Sequence, residues 1–463
     1  FAPAGDRVAF NVRGQVLLAG PAGLRRTLVD APAGSRLRNP VLSPDGRHVY
    51  AICDASGEEE IWRFGTDGSS GHALTDDGDG RRWQLWLSPD GRWLAHDDKR
   101  GRLWLLDTER GDNRLIDDGG ADGNEGHADI AWSADSRHLV LVRQTREVGR
   151  HRLGLYSLSD GALDWLTSDR YHAHSPVFGP DGRWLWFLSD RQFQLANGSP
   201  WGDRNTGPHF DRRTRIYALA LQPDHRFPFL PETELSLAEA ATRDDDNGQR
   251  KESRNQTSLP ALVRDGLAGR LYAVPLPAGD YRQLQASTER LYFLDGRGRT
   301  ASLKYLPIGN RGETPTQVLA EVAHYGLSAD GSKLFVHLAA AGGNDADPRF
   351  LIAEAASKLP EDRERIRINL DDWTLRIDPP AEWRQMFADA WRLHRDHFYD
   401  PAMRGVDWPA QRQRFQPLLA RITDRLELDD LLAQMMSELG ALHSQVRGGD
   451  FRSAPAPVRA AHL

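Results

Sequence analysis

Cysteine is almost absent from this sequence of 463 residues, since Cys53 stands alone and no internal disulfide can form. A single thiol fits a reducing compartment, although a periplasmic protein can also lack bridges, and its expected role is that of a small buried apolar side chain. No stretch approaches the roughly 20 consecutive apolar residues of a membrane-spanning helix. Charge of one sign is not collected anywhere. Lys and Arg are interspersed with Asp and Glu, the net charge is only -7, and neither a nucleic-acid footprint nor a membrane partner is expected. The nucleophile elbow GxSxG does not occur. No cofactor and no metal site are expected. Methionine is scarce too, at four residues against 14 Trp, which favours pleated, half-buried surfaces over helices for most of the chain. The sequence opens on Phe1 inside a strand-like pattern, so an initiator region and any signal peptide would lie outside it.

What is present is a repeat. SPDGR occurs at 43–47 and again at 88–92, with SADSR at 133–137, GPDGR at 179–183 and SADGS at 328–332; APAGDRVAF at the start is the same unit cut short. Each mark lies between two strand-like runs, as in VLSPDGRHVYAI. That pattern is a hairpin turn in which Pro presets φ and Asp-Gly supplies a positive φ. Pro3, Pro44, Pro89, Ala134 and Pro180 follow one another at 41 to 46 residues, the length of a four-stranded propeller blade. Later runs such as EEIWRFGTDG, GRLWLLDTERG, HRLGLYSLSDG and TRIYALAL alternate apolar with polar residues as further strands. The distance from Pro180 to Ala329 fits two blades, one of them on YRQLQASTERLYFLDG with Ser287 at its turn. The total is seven.

The expected architecture is mostly β: a seven-bladed β-propeller over 1–370 with an insertion at about 192–258, a linker at 371–380, and a small α-helical domain from 381 to 463. The insertion contains RDDDNGQRKESRNQTS, which has nothing to bury and reads as a solvated loop, while aromatics in WGDRNTGPHF and HRFPFLP can pin its ends. Past Asp372 the period changes. PPAEWRQMFADAWRLHRDHFY places Trp383, Phe387, Trp391 and His394 or Phe398 at helical spacing behind Pro380; WPAQRQRFQPLLARI and LELDDLLAQMMSELGAL give two more helices, the last ending on Gly440. His443 emerges directly after that helix. From spacing alone such a histidine is more often structural than catalytic.

The run from AWRLHRDHFYDPAMRGVDW to ELGALHSQVRGGDFR resembles the helical module that follows the second propeller in the tricorn family of serine peptidases. The aromatic helix leading into HFYDPAMRGVDW, the PLLARI helix and ELG-x-x-H followed by GGD match together, and the propeller, including AVPLPAGDYRQL, resembles that family's seven-bladed propeller. The resemblance implies a cytoplasmic peptidase that degrades oligopeptides, with peptides as substrates and a homo-oligomer as the full-length form. It also implies a propeller channel that admits extended peptides, and a catalytic group of serine, histidine, glutamate and auxiliary serine. On this pattern His443 is the general base. The auxiliary serine ordinarily precedes that histidine, whereas here the position is Leu442, which offers no hydroxyl; Ser444 follows. The nucleophile and the glutamate would belong to a domain beyond residue 463, so the chain is expected to carry half a catalytic site and to be inactive alone. A non-catalytic propeller scaffold is the competing expectation, which the helical tail argues against. A prolyl-oligopeptidase-like enzyme is argued against by the missing GxSxG.

Overall fold

In the computed structural model the described residues are 1–450 without 22–26, 120–126, 128, 146–149, 194–209, 211, 232, 234–258, 298–300, 311, 313, 340–349, 356, 357, 361, 371, 372 and 443. They form seven antiparallel sheets in chain order, the blades of a propeller, followed by three short helices. Blades 2 to 6 have four strands each, paired in sequence order. The first strands of blades 1, 2 and 3 touch in turn, as do those of blades 4, 5 and 6, which puts the first strands around the axis.

The repeated turn has one set of bonds. Ser43 Oγ donates to Asp45 Oδ1 at 2.6 Å and accepts the His48 N–H at 2.9 Å, while Gly46 N–H closes on Ser43 O with φ of 69°. Ser88, Ser133 and Ser328 repeat the pattern with Asp90, Asp135 and Asp330. A left-handed residue is required where Gly46 stands, and Ser136 meets that requirement at φ 58° in the one copy without glycine there. At the weak sixth blade, Ser287 N–H pairs with Arg290 O in a shorter turn.

The ring closes between blades 7 and 1. Ala329 N–H donates to Pro3 O, Phe1 stacks on Phe335 at 5.7 Å, and Phe10 meets Phe350 edge-on at 4.8 Å. Ile366–Ile368 runs beside Phe350–Glu354, with Ile352 N–H bonded to Ile366 O and Ile368 N–H to Phe350 O, so the segment leaving the propeller also seals it. Between blades, fully buried residues such as Trp186, Phe187 and Phe293 fill the seams. Cys53 is buried in blade 2, and burial pushes its thiol up.

The stretch 192–258 is interrupted by Thr214–Ala220, the third strand of blade 5. Around it the aromatics are pinned: Phe193 packs on Phe210 at 5.6 Å, and Phe227 is buried against Tyr272 at 4.8 Å and Trp184 at 5.5 Å. RDDDNGQRKESRNQTS lies outside the described residues.

Helix α1 (Pro379–His397) starts on Asp378, whose carboxylate accepts the Ala381 N–H. Asp407 and Asp424 cap α2 (Trp408–Phe415) and α3 (Arg425–Ser437) in the same way, both at 2.9 Å. The expected second helix tightens into a 3₁₀ turn over Gln416–Arg421, because Pro417 has no N–H to donate to the α ladder. Phe387, Trp391, Trp408, Phe415, Leu428 and Met435 form the helical core. Trp391 and Trp408 each donate the indole N–H to the other's carbonyl, at 2.9 and 3.0 Å. α3 ends as expected, with Gly440 at φ 56° and its N–H on Ser437 O.

Candidate functional site

The helices are held on the propeller by charge. On the inward face of α1, Asp389, Arg392 and Asp396 lie three and four residues apart and so share one side of the helix. Arg392 donates to Asp54 at 2.5 Å, to Asp389 at 2.7 Å and to Gly57 O at 2.9 Å, and Arg36 pairs with Asp389. Arg395 forks onto Glu58 at 2.5 and 2.9 Å, and Lys99 reaches Asp396 O at 3.0 Å. Burial works to raise the Asp389 carboxyl, but Arg36 and Arg392 outweigh it and hold the group below the usual range. Burial likewise disfavours charge on Arg392, and Asp54 and Asp389 more than offset it. At the C-terminal end of α1, His397 packs at 5.4 Å on Trp83, which belongs to the innermost strand of blade 3. The helical unit therefore sits over the face on which the innermost strands begin.

Beside this junction lies a cleft of about 1440 Å³. Its walls are Arg13 and Arg36 of the propeller, Trp383, Met386 and Leu393 of α1, and residues 445–447, 449 and 450 of the chain after α3. Arg13 bridges the two sides: its Nε donates to Glu382 at 2.8 Å, and its guanidinium also pairs with Asp450. These two carboxylates, Glu382 above all, hold the Arg13 charge more firmly than water would.

His443 lies outside the described residues. Its flanks do not. Gly440 O accepts from Arg404 Nη1 at 2.6 Å, Val446 packs on the helical core, and Asp450 is tied to Arg13. Leu442 is 88% exposed and Ser444 is exposed, so neither is part of the packed interior. The described residues on either side of that position, Gly440 and Val446, are thus held to the helical unit, and residues 445–447 line one wall of the cleft. Among the described residues no cluster of three or more His, Cys, Asp or Glu could hold a metal ion, and no helix is long and apolar enough to cross a membrane.

Two family models match, in the same order as the structure. The tricorn protease second beta propeller domain matches residues 1–340, and the tricorn protease C1 domain matches 379–437. The chain belongs to the tricorn protease family. It is 28% identical over 460 residues to tricorn protease homolog 1 of Streptomyces coelicolor, a match covering 93% of this chain and 40% of the relative. It is 23% identical over 468 residues to the tricorn protease homolog of Saccharolobus solfataricus, covering 98% of this chain and 39% of that one. The crystal structure of the tricorn protease superposes with a TM-score of 0.76 at 17% identity, covering 96% of this chain and 41% of that one. The chain therefore spans about two fifths of the length of these relatives. His443 falls just beyond the segment matched by the C1 model.

Sequence reasoning found the helices and missed what fastens them. The signal was present in AWRLHRDHFY, where Arg392, Arg395 and Asp396 recur at helical spacing; they read as solvated charges until Asp54 and Glu58 of blade 2 are seen to meet them.

Proposed function

We propose that this chain is the second-propeller and first helical portion of a tricorn-like serine peptidase that cleaves oligopeptides. In this reading the propeller governs which polypeptides reach the catalytic region, and His443 is the general base. The observation that carries it is the joint match of propeller and C1 segment in family order, with α1 fastened over the face where the innermost strands begin. In this reading the base works on groups brought by other polypeptide. It would take the proton of a serine hydroxyl, making it able to attack a peptide carbonyl, and return the proton to the leaving amine. The serine and the glutamate would come from polypeptide beyond residue 463, in a cytoplasmic homo-oligomer.

The test is hydrolysis of fluorogenic peptides by this chain and by the polypeptide extended through the downstream reading frame, each with and without His443→Ala. Activity confined to the extended form and abolished by the substitution is the expected result. An extended form that stays silent would turn the case to a binding propeller.

A further inference from the structure

Among the described residues the innermost strands of blades 2, 3, 5, 6 and 7 share an irregularity near one register. Each of these five carries an extra residue against its neighbour: Arg38 to Val41 spans Ile52 to Tyr50, Arg82 to Leu85 spans Asp98 to His96, blades 5 and 6 repeat the shift, and in blade 7 the extra residue is Ala323. A bulge of this kind re-aims a side chain. Counting four residues back from the residue that opens each hairpin turn gives Asn39, Gln84, Asp129, Ser175, Gln283 and His324. Every one is polar. Asn39, Gln84 and His324 are exposed and the other three are partly so, although they lie on or beside the innermost strands of a closed ring, where the axis is the side left open.

Backbone conformation supports a role for this register. Asn39, Ser175 and Gln283 have φ of 49°, 50° and 52°, a left-handed conformation that residues with a side chain seldom adopt. Strain placed at the same step of three blades is not a packing accident. Neighbours in the ring are linked, since Ser175 N–H donates to Asp129 Oδ2 at 2.9 Å and Gln283 Nε2 meets His324 Nδ1 at 2.8 Å. Gln283 Oε1 is left buried without a partner. Burial holds the Asp129 carboxyl above its ordinary value, the Ser175 N–H opposing it, which lessens the charge at this level.

We propose that these six side chains form a collar across the channel that binds the main chain of an extended peptide, whatever its side chains. The register offers amide, hydroxyl, imidazole and carboxyl groups but no apolar side chain. Such a set matches the alternating N–H and C=O groups of an extended backbone and provides no pocket to select a side chain. The class of ligand rests on the peptidase reading above; the collar's mode of binding does not depend on catalysis.

The experiment uses the 463-residue chain and terminally blocked, fluorescently labelled octapeptides, followed by anisotropy. An alanine-rich and a serine-rich peptide are expected to bind within about threefold of each other. The same peptides N-methylated at alternate backbone amides, and the unmodified peptides on a Gln84→Leu/Gln283→Leu variant, should each bind at least about tenfold more weakly, the loss expected for one or two hydrogen bonds. Should that variant misfold, the N-methyl comparison on the unaltered chain decides alone. Equal binding of N-methylated peptides, affinity graded by side chain, or no binding at all would overturn the collar. Peptide binding by this chain combined with silence of the extended polypeptide would instead keep the collar and remove the peptidase.

Discussion

The propeller and the helical unit hold themselves together by different means. In the propeller, four turns use the same serine, aspartate and glycine-type geometry, so no single copy decides the fold. The helical unit occurs once. It depends on reciprocal Trp391 and Trp408 bonds within, and on Arg392, Arg395, Asp389 and Asp396 for its place on blades 2 and 3. Repetition makes a structure tolerant of local loss, whereas a unique junction concentrates its stability in a few charges.

That contrast breaks most visibly at Arg392. Arg392→Leu leaves Asp54 and Asp389 facing each other in a buried seam with half their partners gone, a change that costs about 3–5 kcal/mol when one member of a buried pair is removed. The expected result is two calorimetric transitions in place of one, the helical unit melting below the propeller and becoming open to protease. A single transition at an unchanged temperature would show that the tryptophan and cleft contacts suffice.

Proton linkage offers a second way to separate the regions. His96 is fully buried in blade 3, with Arg82 Nη1 at 3.2 Å and Asn113 at 2.9 Å; burial, and then the Arg82 charge, lower its pKa to about 3. Next to it Asp97 is raised to about 6 by burial, with the N–H groups of Gln84 and His127 opposing. The signs are opposite. Acid below pH 6.5 favours the unfolded chain through His96, which can take up a proton only when released. Acid below pH 6 favours the folded chain through Asp97, which binds its proton more tightly inside. Between about pH 6 and 4 the two slopes cancel, and below 4 only His96 still acts, so stability should be nearly flat and then fall. His96→Gln should unmask Asp97, and the propeller should then gain about 1–3 kcal/mol on acidification from pH 6 to 4, read from denaturant midpoints. Asp389, held low by its arginines, keeps its charge to lower pH than Asp97 does. A variant that still loses stability over that window would mean that Asp97 is not protonated there.

The same contrast explains what could be read beforehand. Spacing of the turn motif was enough for seven blades, including the weak one at Ser287, because each turn's geometry is local. The three helices were legible from their spacing, with Pro380 and Gly440 marking a start and an end; the caps at Asp378, Asp407 and Asp424 and the 3₁₀ turn at Pro417 were not foreseen, although their causes are local. The polar residues four places before each turn stand in the sequence, but that this step meets at the axis and carries left-handed backbone emerges only when the strands are placed side by side. The α1 junction was not legible, because Asp54 and Arg392 are 338 positions apart and nothing in either segment names the other. His443 came from the resemblance and not from its surroundings.

The smallest expected effect on stability falls at Leu442, beside the histidine proposed as general base. Leu442 is 88% exposed and packs on nothing that its loss would leave empty, so Leu442→Ser should change stability by no more than about 0.5 kcal/mol. If His443 is the general base proposed above, the same substitution in the extended polypeptide supplies a neighbouring hydroxyl to orient its imidazole. The expected outcome is a rise of roughly tenfold in kcat with KM unchanged, since an orienting partner acts on proton transfer and not on substrate binding. An unchanged kcat would mean that another group already holds the imidazole, with the span between Gly440 and Val446 as the place to look for it. Either result sets two places of the helical unit apart: a neutral change to the fold at Leu442, against a junction at Arg392 on which the unit's seat on the propeller depends.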